Sequence, residues 1–379
     1  MSVQYVHAES VKLVFSGKNY FEMLEKIIDE AKETIHLQTY IFENDNTGKK
    51  IADALIRASR REVKVFVLAD AFGSNSLPRK FIDNLRKEKI NFRFFSPLFS
   101  SEGIFFGRRL HHKIVVADKH IALVGGINIA DKYYGTQNEN AWFDHAVLVQ
   151  GKACVWLHNL CAQIFEKRKL KTLTERGSEK EKFHGKILVR FIRNDWVRRK
   201  NEIHKSYIDA ISKSEKSVIM TASYFLPGFR LRREIKKAGK RGVDVRIILA
   251  GKSDVPFFRL AEKYLYQFLL ENNVKIYEWK NSVMHGKAIT IDNEWSSVGS
   301  FNLNHLSRYR SIELNVDVMD KNFSSHFSCH LKEVMSNDCA EITKNNFFKW
   351  NSGLLKAKSV AAYFLLRTLM KFFLSKKYH

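Results

Sequence analysis

Acidic residues are scarce in this chain. Forty Asp and Glu stand against 64 Lys and Arg in 379 residues, a net charge of +24. Such an imbalance argues against a basic partner and calls for an anionic one, either nucleic acid or an acidic membrane surface. Cysteine is equally sparse. The four present (Cys154, Cys161, Cys329, Cys339) lack the clustered spacing of a zinc module. Cys154 and Cys161 fall in an apolar helical stretch, so buried, reduced thiols and a cytosolic face are expected. The N-terminal MSVQYVHAESVKLVF has no apolar core of the secretory type, so no signal peptide is expected. No stretch approaches the ~18 uncharged apolar residues that a membrane-spanning helix needs. What remains, 45% hydrophobic and 13% aromatic residues, is a globular chain long enough for two domains.

One stretch occurs twice. From His111 the chain reads HHKIVVADKHIALVGGIN, and from His285 it reads HGKAITIDNEWSSVGSFN. The shared template is His, one residue, Lys, four residues, Asp, then Gly-Gly or Gly-Ser and an Asn. It places His111, Lys113, Asp118, Gly125, Gly126 and Asn128 in the first copy, and His285, Lys287, Asp292, Gly299, Ser300 and Asn302 in the second. Residues two apart on a strand share a face, so imidazole and ammonium are expected to project together. The apolar runs 114–117 and 288–291 would bury that strand. The Gly pair admits close approach of backbone, in the simplest reading to an anion. Two copies offer two imidazoles, two ammoniums and two Asn amides, an inventory suited to a phosphodiester: cations for its non-bridging oxygens, one His to attack phosphorus, one to manage the leaving-group proton. This chemistry needs no metal and no cofactor.

The surrounding pattern repeats as well. Strands alternate with amphipathic helices: a strand at 11–15, a helix at 20–33, a strand at 34–42, a helix at 47–61 capped by Thr47, strands at 63–69 and 90–95 around a helix at 78–89, and a helix at 153–168. Residues 169–186 are highly charged and read as a linker. A strand at 187–193 and a helix at 202–214 then restart the series. Ile35–Tyr40 resembles Ile219–Tyr224, an offset of 184, and Val63–Leu68 resembles Val243–Ile248, an offset of 180. The motif offset is 285 − 111 = 174. The expected organisation is a duplicated α/β unit: domains at 1–168 and 187–345, and a basic amphipathic segment at 346–379. A duplicated unit needs no second chain to complete its site.

The paired signature resembles the phospholipase D superfamily, which implies two tandem α/β/α sandwich domains with mixed sheets and pseudo-two-fold symmetry. Residues 121–135 (IALVGGINIADKYYG), 44–50 and 69–74 resemble the bacterial cardiolipin synthases, over roughly residues 10–340, and specifically the shorter branch without N-terminal membrane spans. The resemblance makes His111 the nucleophile and His285 the acid/base, with Lys113, Lys287, Asn128 and Asn302 stabilising the transition state. An acid beyond each motif is expected to hold the outer imidazole nitrogen. Glu313, 28 residues past His285, fits that place; in the first copy Asp144 in WFDH is preferred, with Glu139 the alternative by strict spacing. Asp118 and Asp292 are expected to hold a turn through backbone N–H groups and not to move protons.

The implied reaction joins two phosphatidylglycerol molecules, donor and acceptor, on the cytoplasmic face of a bacterial inner membrane, with the protein bound peripherally to anionic lipid. Apolar stretches at 94–99, 104–106 and 255–258 flank the motifs and suit acyl chains. The segment 354–374 places Lys356, Arg367 and Lys371 opposite a broad apolar face, with Lys358 off the pattern; it suits an anionic interface or, alternatively, docks on the protein core. Hydrolysis of a phospholipid and cleavage of nucleic acid remain the competing readings. The first would use the same residues; the second accounts for the charge but not for the C-terminal segment.

Overall fold

Apolar residues placed at helical and strand periods assemble two mixed α/β layers. The structure, a computed structural model, describes residues 4–96, 99–100, 103–104, 108–167, 187–195, 198, 200–350 and 353–375. The expected linker 169–186 and Phe105 and Phe106 lie outside the described residues. Two compact units form. The first takes residues 1–192 with 298–300 and 312–320, and the second takes 193–297, 301–311 and 321–379.

The first unit opens with β1 (Val6–Ala8), β2 (Ser10–Phe15) and α1 (Lys18–Glu30). α1 turns Tyr20, Phe21, Leu24, Ile27 and Ile28 inward at helical spacing. β3 (Thr34–Thr39), α2 (Asn46–Arg60), β4 (Lys64–Asp70), α3 (Arg79–Lys87) and β5 (Asn91–Phe95) follow. The cap of α2 is Asp45, whose carboxylate accepts from Gly48 N, and not the expected Thr47, which lies inside the helix and bonds Asp131. Short pieces β6 (Phe99–Ser100), β7 (Gly103–Ile104) and β8 (Arg109–Leu110) lead to β9 (Lys113–Ala117) and β10 (Ile121–Gly125); α4 (Asp131–Tyr134), β11 (His145–Gln150), α5 (Ala153–Phe165) and β12 (Ile187–Asp195) complete the run. The sheet order is β2-β11-β10-β9-β3-β4-β5, parallel through β3, β4 and β5 and antiparallel elsewhere. Every residue of β9 is buried, which its β-branched Ile-Val-Val run suits.

The second unit contains β13 (Lys200–Asn201), α6 (Glu202–Lys213), β14 (Ser217–Ala222), α7 (Phe229–Lys240), β15 (Asp244–Lys252), α8 (Pro256–Glu271), β16 (Val274–Val283) and β17 (Lys287–Ile291). Next come β18 (Trp295–Gly299), α9 (His305–Tyr309), β19 (Ser311–Met319), α10 (Lys321–Asp338), β20 (Cys339–Ile342), α11 (Lys344–Trp350) and α12 (Leu354–Ser375). Of these, β19 falls almost wholly in the first unit, beside β12, itself paired with β1. In the second unit β17 pairs antiparallel with β14, and β14, β15 and β16 run parallel. The arrangement β9-β3-β4-β5 thus recurs as β17-β14-β15-β16. The ladders set the first offset at 183, since Thr34 faces Lys64 where Ser217 faces Asp244; Tyr40 therefore matches Ser223, and the expected match to Tyr224 is out by one residue.

α12 packs along α8, where Tyr363 stacks on Tyr264 at 4.3 Å and Ala362 and Met370 are buried. Its opposite face leaves Leu354, Phe364, Leu365 and Leu369 in the open, with relative exposures of 42–71%. No helix among the described residues is long and apolar enough to cross a membrane. Cys154, Cys161 and Cys339 are buried free thiols, but Cys329 is exposed.

Asp118 and Asp292 serve one structural purpose twice. Each starts a left-handed pair (Asp118-Lys119, Asp292-Asn293), which gives the type I′ turn that suits a hairpin's twist. From there Asp118 accepts the backbone N–H groups of Lys32, Glu33 and Thr34 at 2.8–2.9 Å, and Asp292 those of Glu215, Lys216 and Ser217 at 2.8–2.9 Å. Each carboxylate ties the motif hairpin to the start of the neighbouring strand. Because charge-assisted bonds of this kind are strong but water can replace part of them, Asp118→Ala should cost about 2 kcal/mol; urea unfolding measures it, and an unchanged midpoint would remove this role.

Candidate active site

In both copies the motif His sits in the two-residue approach to the strand, and the Lys is the strand's first residue. The expected shared strand face therefore begins only at the Lys. What joins the pair is the backbone: Lys113 Nζ donates to the His111 carbonyl at 2.9 Å, and Lys287 Nζ donates to the His285 carbonyl. Both ammonium side chains are buried.

Around His111, the first unit brings together residues far apart in sequence. His111 N donates to Ile312 O at 2.9 Å, which docks the approach loop on β19. The ring's Nδ1 lies 2.8 Å from Glu313 Oε2 and 3.1 Å from the Ser300 carbonyl oxygen. Both are acceptors, so Nδ1 carries the hydrogen and Nε2 keeps its lone pair. The Ser300 hydroxyl donates to the same oxygen of Glu313, a fully buried residue. Glu313 was expected to serve its own motif; in the structure the acid of the second copy braces the histidine of the first.

Tyr40 closes this pocket from β3. Its ring meets His111 edge-on at 4.9 Å, with Lys113 Nζ 5.2 Å from its centre. Burial, and then the charge of Asp70, push the phenol up to about 12, so it stays protonated. Asp70, fully buried, accepts from Phe72 N, Gly73 N and Leu110 N and sits 3.7 Å from Arg109. Neither residue was singled out from sequence, although the Ala69–Ser74 fragment carried a family likeness.

The second unit builds a related but unequal setting for His285. Lys287 Nζ is 2.9 Å from His285 Nδ1. An ammonium can only donate, so this Nδ1 accepts, and a neutral His285 carries its hydrogen on Nε2. Ser223 Oγ reaches the His285 carbonyl at 3.3 Å and Asn302 Oδ1 at 2.9 Å. Tyr224, with a left-handed φ of 51°, presents its ring edge to His285 at 6.4 Å and hydrogen-bonds Asp254. Glu262, fully buried on α8, accepts from Phe225 N and so fixes the loop that carries Tyr224.

The remaining expected residues divide. Gly126 N donates to His145 O at 3.1 Å, and Ser300 N donates to Leu314 O at 3.1 Å, so Asp144 and Glu313 occupy the same place one residue earlier. Glu139 instead lies in an exposed turn. A Cβ on Gly126 would come within 2.3 Å of the Asp144 carboxylate, and one on Gly299 within 2.4 Å of Asn315 Oδ1. The anion that the glycine admits is the protein's own. Asn128 is spent internally, accepting from Ile41 N and donating to the Tyr133 hydroxyl, whereas the Oδ1 of Asn302 is tied to Ser223.

Paired His-x-Lys approaches on repeated α/β units, one with a carboxylate behind its imidazole, define an enzyme of the phospholipase D superfamily. Residues 24–168 and 207–335 match the family described as cardiolipin synthase, PLD-like domain. The chain therefore belongs to this family, whose class is phosphatidyltransferase. It is 31% identical over 97% of its length to cardiolipin synthase B of Shigella flexneri, covering 90% of that protein. Cardiolipin synthase 1 of Bacillus cereus is 28% identical over 90% of this chain and 68% of its own length. Among solved structures, phosphatidylserine synthase of Haemophilus influenzae Rd KW20 has the same fold: TM-score 0.73 at 13% identity, over 98% of this chain and 96% of that one.

Glu262 makes the site region sensitive to alkali. Burial pushes its carboxyl up to about 8. The folded state thus holds a proton that the unfolded chain releases near pH 4.3, so this group's contribution to stability is full below that value and is lost as pH rises to about 8. Glu262→Gln should flatten this slope in a series of urea titrations; an unchanged slope would contradict it.

Proposed function

We propose that the chain synthesises cardiolipin, joining two phosphatidylglycerol molecules with release of glycerol. The observation that carries the proposal is the protonation pattern at His111. With Nδ1 donating to Glu313 and to the Ser300 carbonyl, the Nε2 lone pair is the nucleophile. It attacks the phosphorus of the donor lipid and displaces the glycerol oxygen. His285 and Lys287, sharing one positive charge across their hydrogen bond, deliver a proton to that oxygen from His285 Nε2. Glycerol leaves and a phosphatidyl group stays on His111. The neutral His285–Lys287 pair then takes the proton of a hydroxyl on the second lipid, whose oxygen attacks phosphorus and breaks the P–N bond. Lys113, Lys287 and Asn302 stabilise the charge that grows on the non-bridging oxygens. Asp144 holds the place after the first motif that Glu313 holds after the second, and its carboxylate accepts from His145 N.

The lipid reading draws on the names of the curated relatives and on α12. One face of that helix lies on α8, and the other leaves Leu354, Phe364, Leu365 and Leu369 open, with Lys356 and Lys358 exposed along the helix. Burying half-exposed Leu and Phe side chains contributes about 1 kcal/mol each, and each basic residue near an anionic surface about 1 kcal/mol. Together they suffice for reversible, peripheral binding at the cytoplasmic face of a bacterial inner membrane.

Incubation with phosphatidylglycerol vesicles in the presence of a chelator should yield cardiolipin and glycerol in equal amounts and leave single-stranded DNA intact. Phosphatidic acid as the main product would make the enzyme a hydrolase; consumed DNA would make it a nuclease. Acid quenching should trap the phosphatidyl group on His111, and an adduct on His285 would reverse the two roles. Glu313→Gln, which keeps the shape but weakens the brace, should lower kcat by about 10²–10⁴-fold with little change in KM. Leu365→Glu with Leu369→Glu should release the protein from phosphatidylglycerol vesicles in a sedimentation assay, with turnover in detergent micelles retained.

A further inference from the structure

The start of α7 forms an electropositive nook that the mechanism above does not use. Gly228 precedes the helix in extended backbone and provides no side-chain cap. The first bond into the helix comes from Arg232 N, so the N–H groups of Phe229, Arg230 and Leu231 point out of the helix end unpaired. Gly228 faces Arg308 and His305: a Cβ there would lie in ordinary contact, 3.9 Å from both Arg308 Nη1 and the His305 ring. Phe301 and Leu303 line the nook together with His204.

Two polar groups independent of the helix end mark it as a site. His204 is 94% buried (6% exposed), lines the nook and makes no hydrogen bond. Arg308 Nε is likewise buried without a partner. Burial, and then the charges of Arg308, Arg230 and His305, push His204 down to about 4, so its ring is neutral and can offer one N–H. Arg308 lies over the Tyr309 ring, 4.9 Å from its centre, and Arg230 adds a second positive charge nearby. The walls are otherwise apolar, from Pro227, Leu231, Phe301 and Leu303, and the helix N–H groups, His204 and Arg308 bring donors and positive charge to them, which suits an oxyanion.

The place of the nook gives it a meaning. Phe301 and Leu303 flank the motif residue Asn302, Leu303 O accepts from Leu226 N at 3.0 Å, and Asn304 Nδ2 donates to the carbonyl of Tyr224, the residue facing His285. The space is small, about 10 Å³, enough for one water-sized atom. One phosphate oxygen fits, and the others stay at the mouth beside the exposed Arg230.

We propose that this nook is a second phosphate subsite, which seats one oxygen of the acceptor lipid's own phosphodiester while that lipid's hydroxyl attacks the phosphatidyl group. The proposal rests on the phosphatidyl-transfer reading. It gives the protein a means of preferring a lipid acceptor over water or a free alcohol, since neither of those carries a phosphate. The shared chemistry is a phosphate oxyanion, whether in a lipid headgroup or as inorganic phosphate.

The test is partitioning of the common intermediate. With phosphatidylglycerol micelles and ethanol present together, the wild type yields cardiolipin and phosphatidylethanol in a fixed ratio. Arg308→Gln should lower that ratio about tenfold while the rate of phosphatidylethanol formation holds, and Arg308→Lys should restore part of it. An unchanged ratio, or equal loss of both products in a variant with native circular dichroism, overturns the subsite. If Arg308→Gln fails to fold, Arg230→Gln carries the same expectation at the mouth. Calorimetry with inorganic phosphate separates the two readings: two sites per chain are expected, falling to one in Arg308→Gln. Should the wild type form neither lipid product, the transfer reading fails and the calorimetry alone decides the nook, with no loss of a site in the variant overturning it.

Discussion

A buried carboxylate and a backbone carbonyl, both facing one nitrogen of His111, decide what that ring can do. An imidazole free to turn offers either nitrogen and spends part of its time in the wrong tautomer. Held by Glu313 and the Ser300 carbonyl, it has one hydrogen position and one lone pair. The carboxylate in turn is fixed by the Ser300 hydroxyl, and the loop by the bond from His111 N to Ile312. Each of these contacts draws on β18 or β19, strands of the second sequence copy, to complete a histidine of the first.

Duplication gave the chain two equal scaffolds, which its side chains then made unequal. The strand order and the Asp turn are the same in both. At the position after the first motif glycine, Gly126 leaves room for Asp144 to press against the backbone, while Ser300 fills that room and puts a hydroxyl on Glu313. Lys113 reaches the His111 carbonyl and sits against Tyr40, whereas Lys287 reaches the imidazole nitrogen of its own motif. The two neutral imidazoles thereby hold opposite tautomers, with the hydrogen on Nδ1 at His111 and on Nε2 at His285.

Much of this was legible in the residues. The repeat announced two scaffolds, and the alternation of apolar runs gave most strands and helices of the first copy to within a few residues, because buried β-branched strands and amphipathic helices write their periods plainly; in the second copy α7, α8, β16, β19 and α10 were not named. The turn-holding use of Asp118 and Asp292 was readable too, since short carboxylates favour such local bonds. Partner choice was not. Nothing in the spacing says that Glu313 crosses to His111, that Asn128 is consumed by Ile41 and Tyr133, or that Asp45 caps α2 in place of Thr47, because these depend on which strand lies beside which. Tyr40 and Asp70 were hidden for the same reason: a lone tyrosine at a strand end and an Asp after an apolar run look ordinary until the chain brings them beside the motif.

The placement of β19 also bears on how such a chain came to be one gene. A fragment ending at residue 192 would retain His111 and the seven-stranded sheet, yet would lack the strand that bears its carboxylate. A separate piece carrying that strand could restore the site only by lending it across, as partners that exchange a segment do. Once fused, the copies were free to drift apart in detail, and the second can no longer be removed without disarming the histidine of the first.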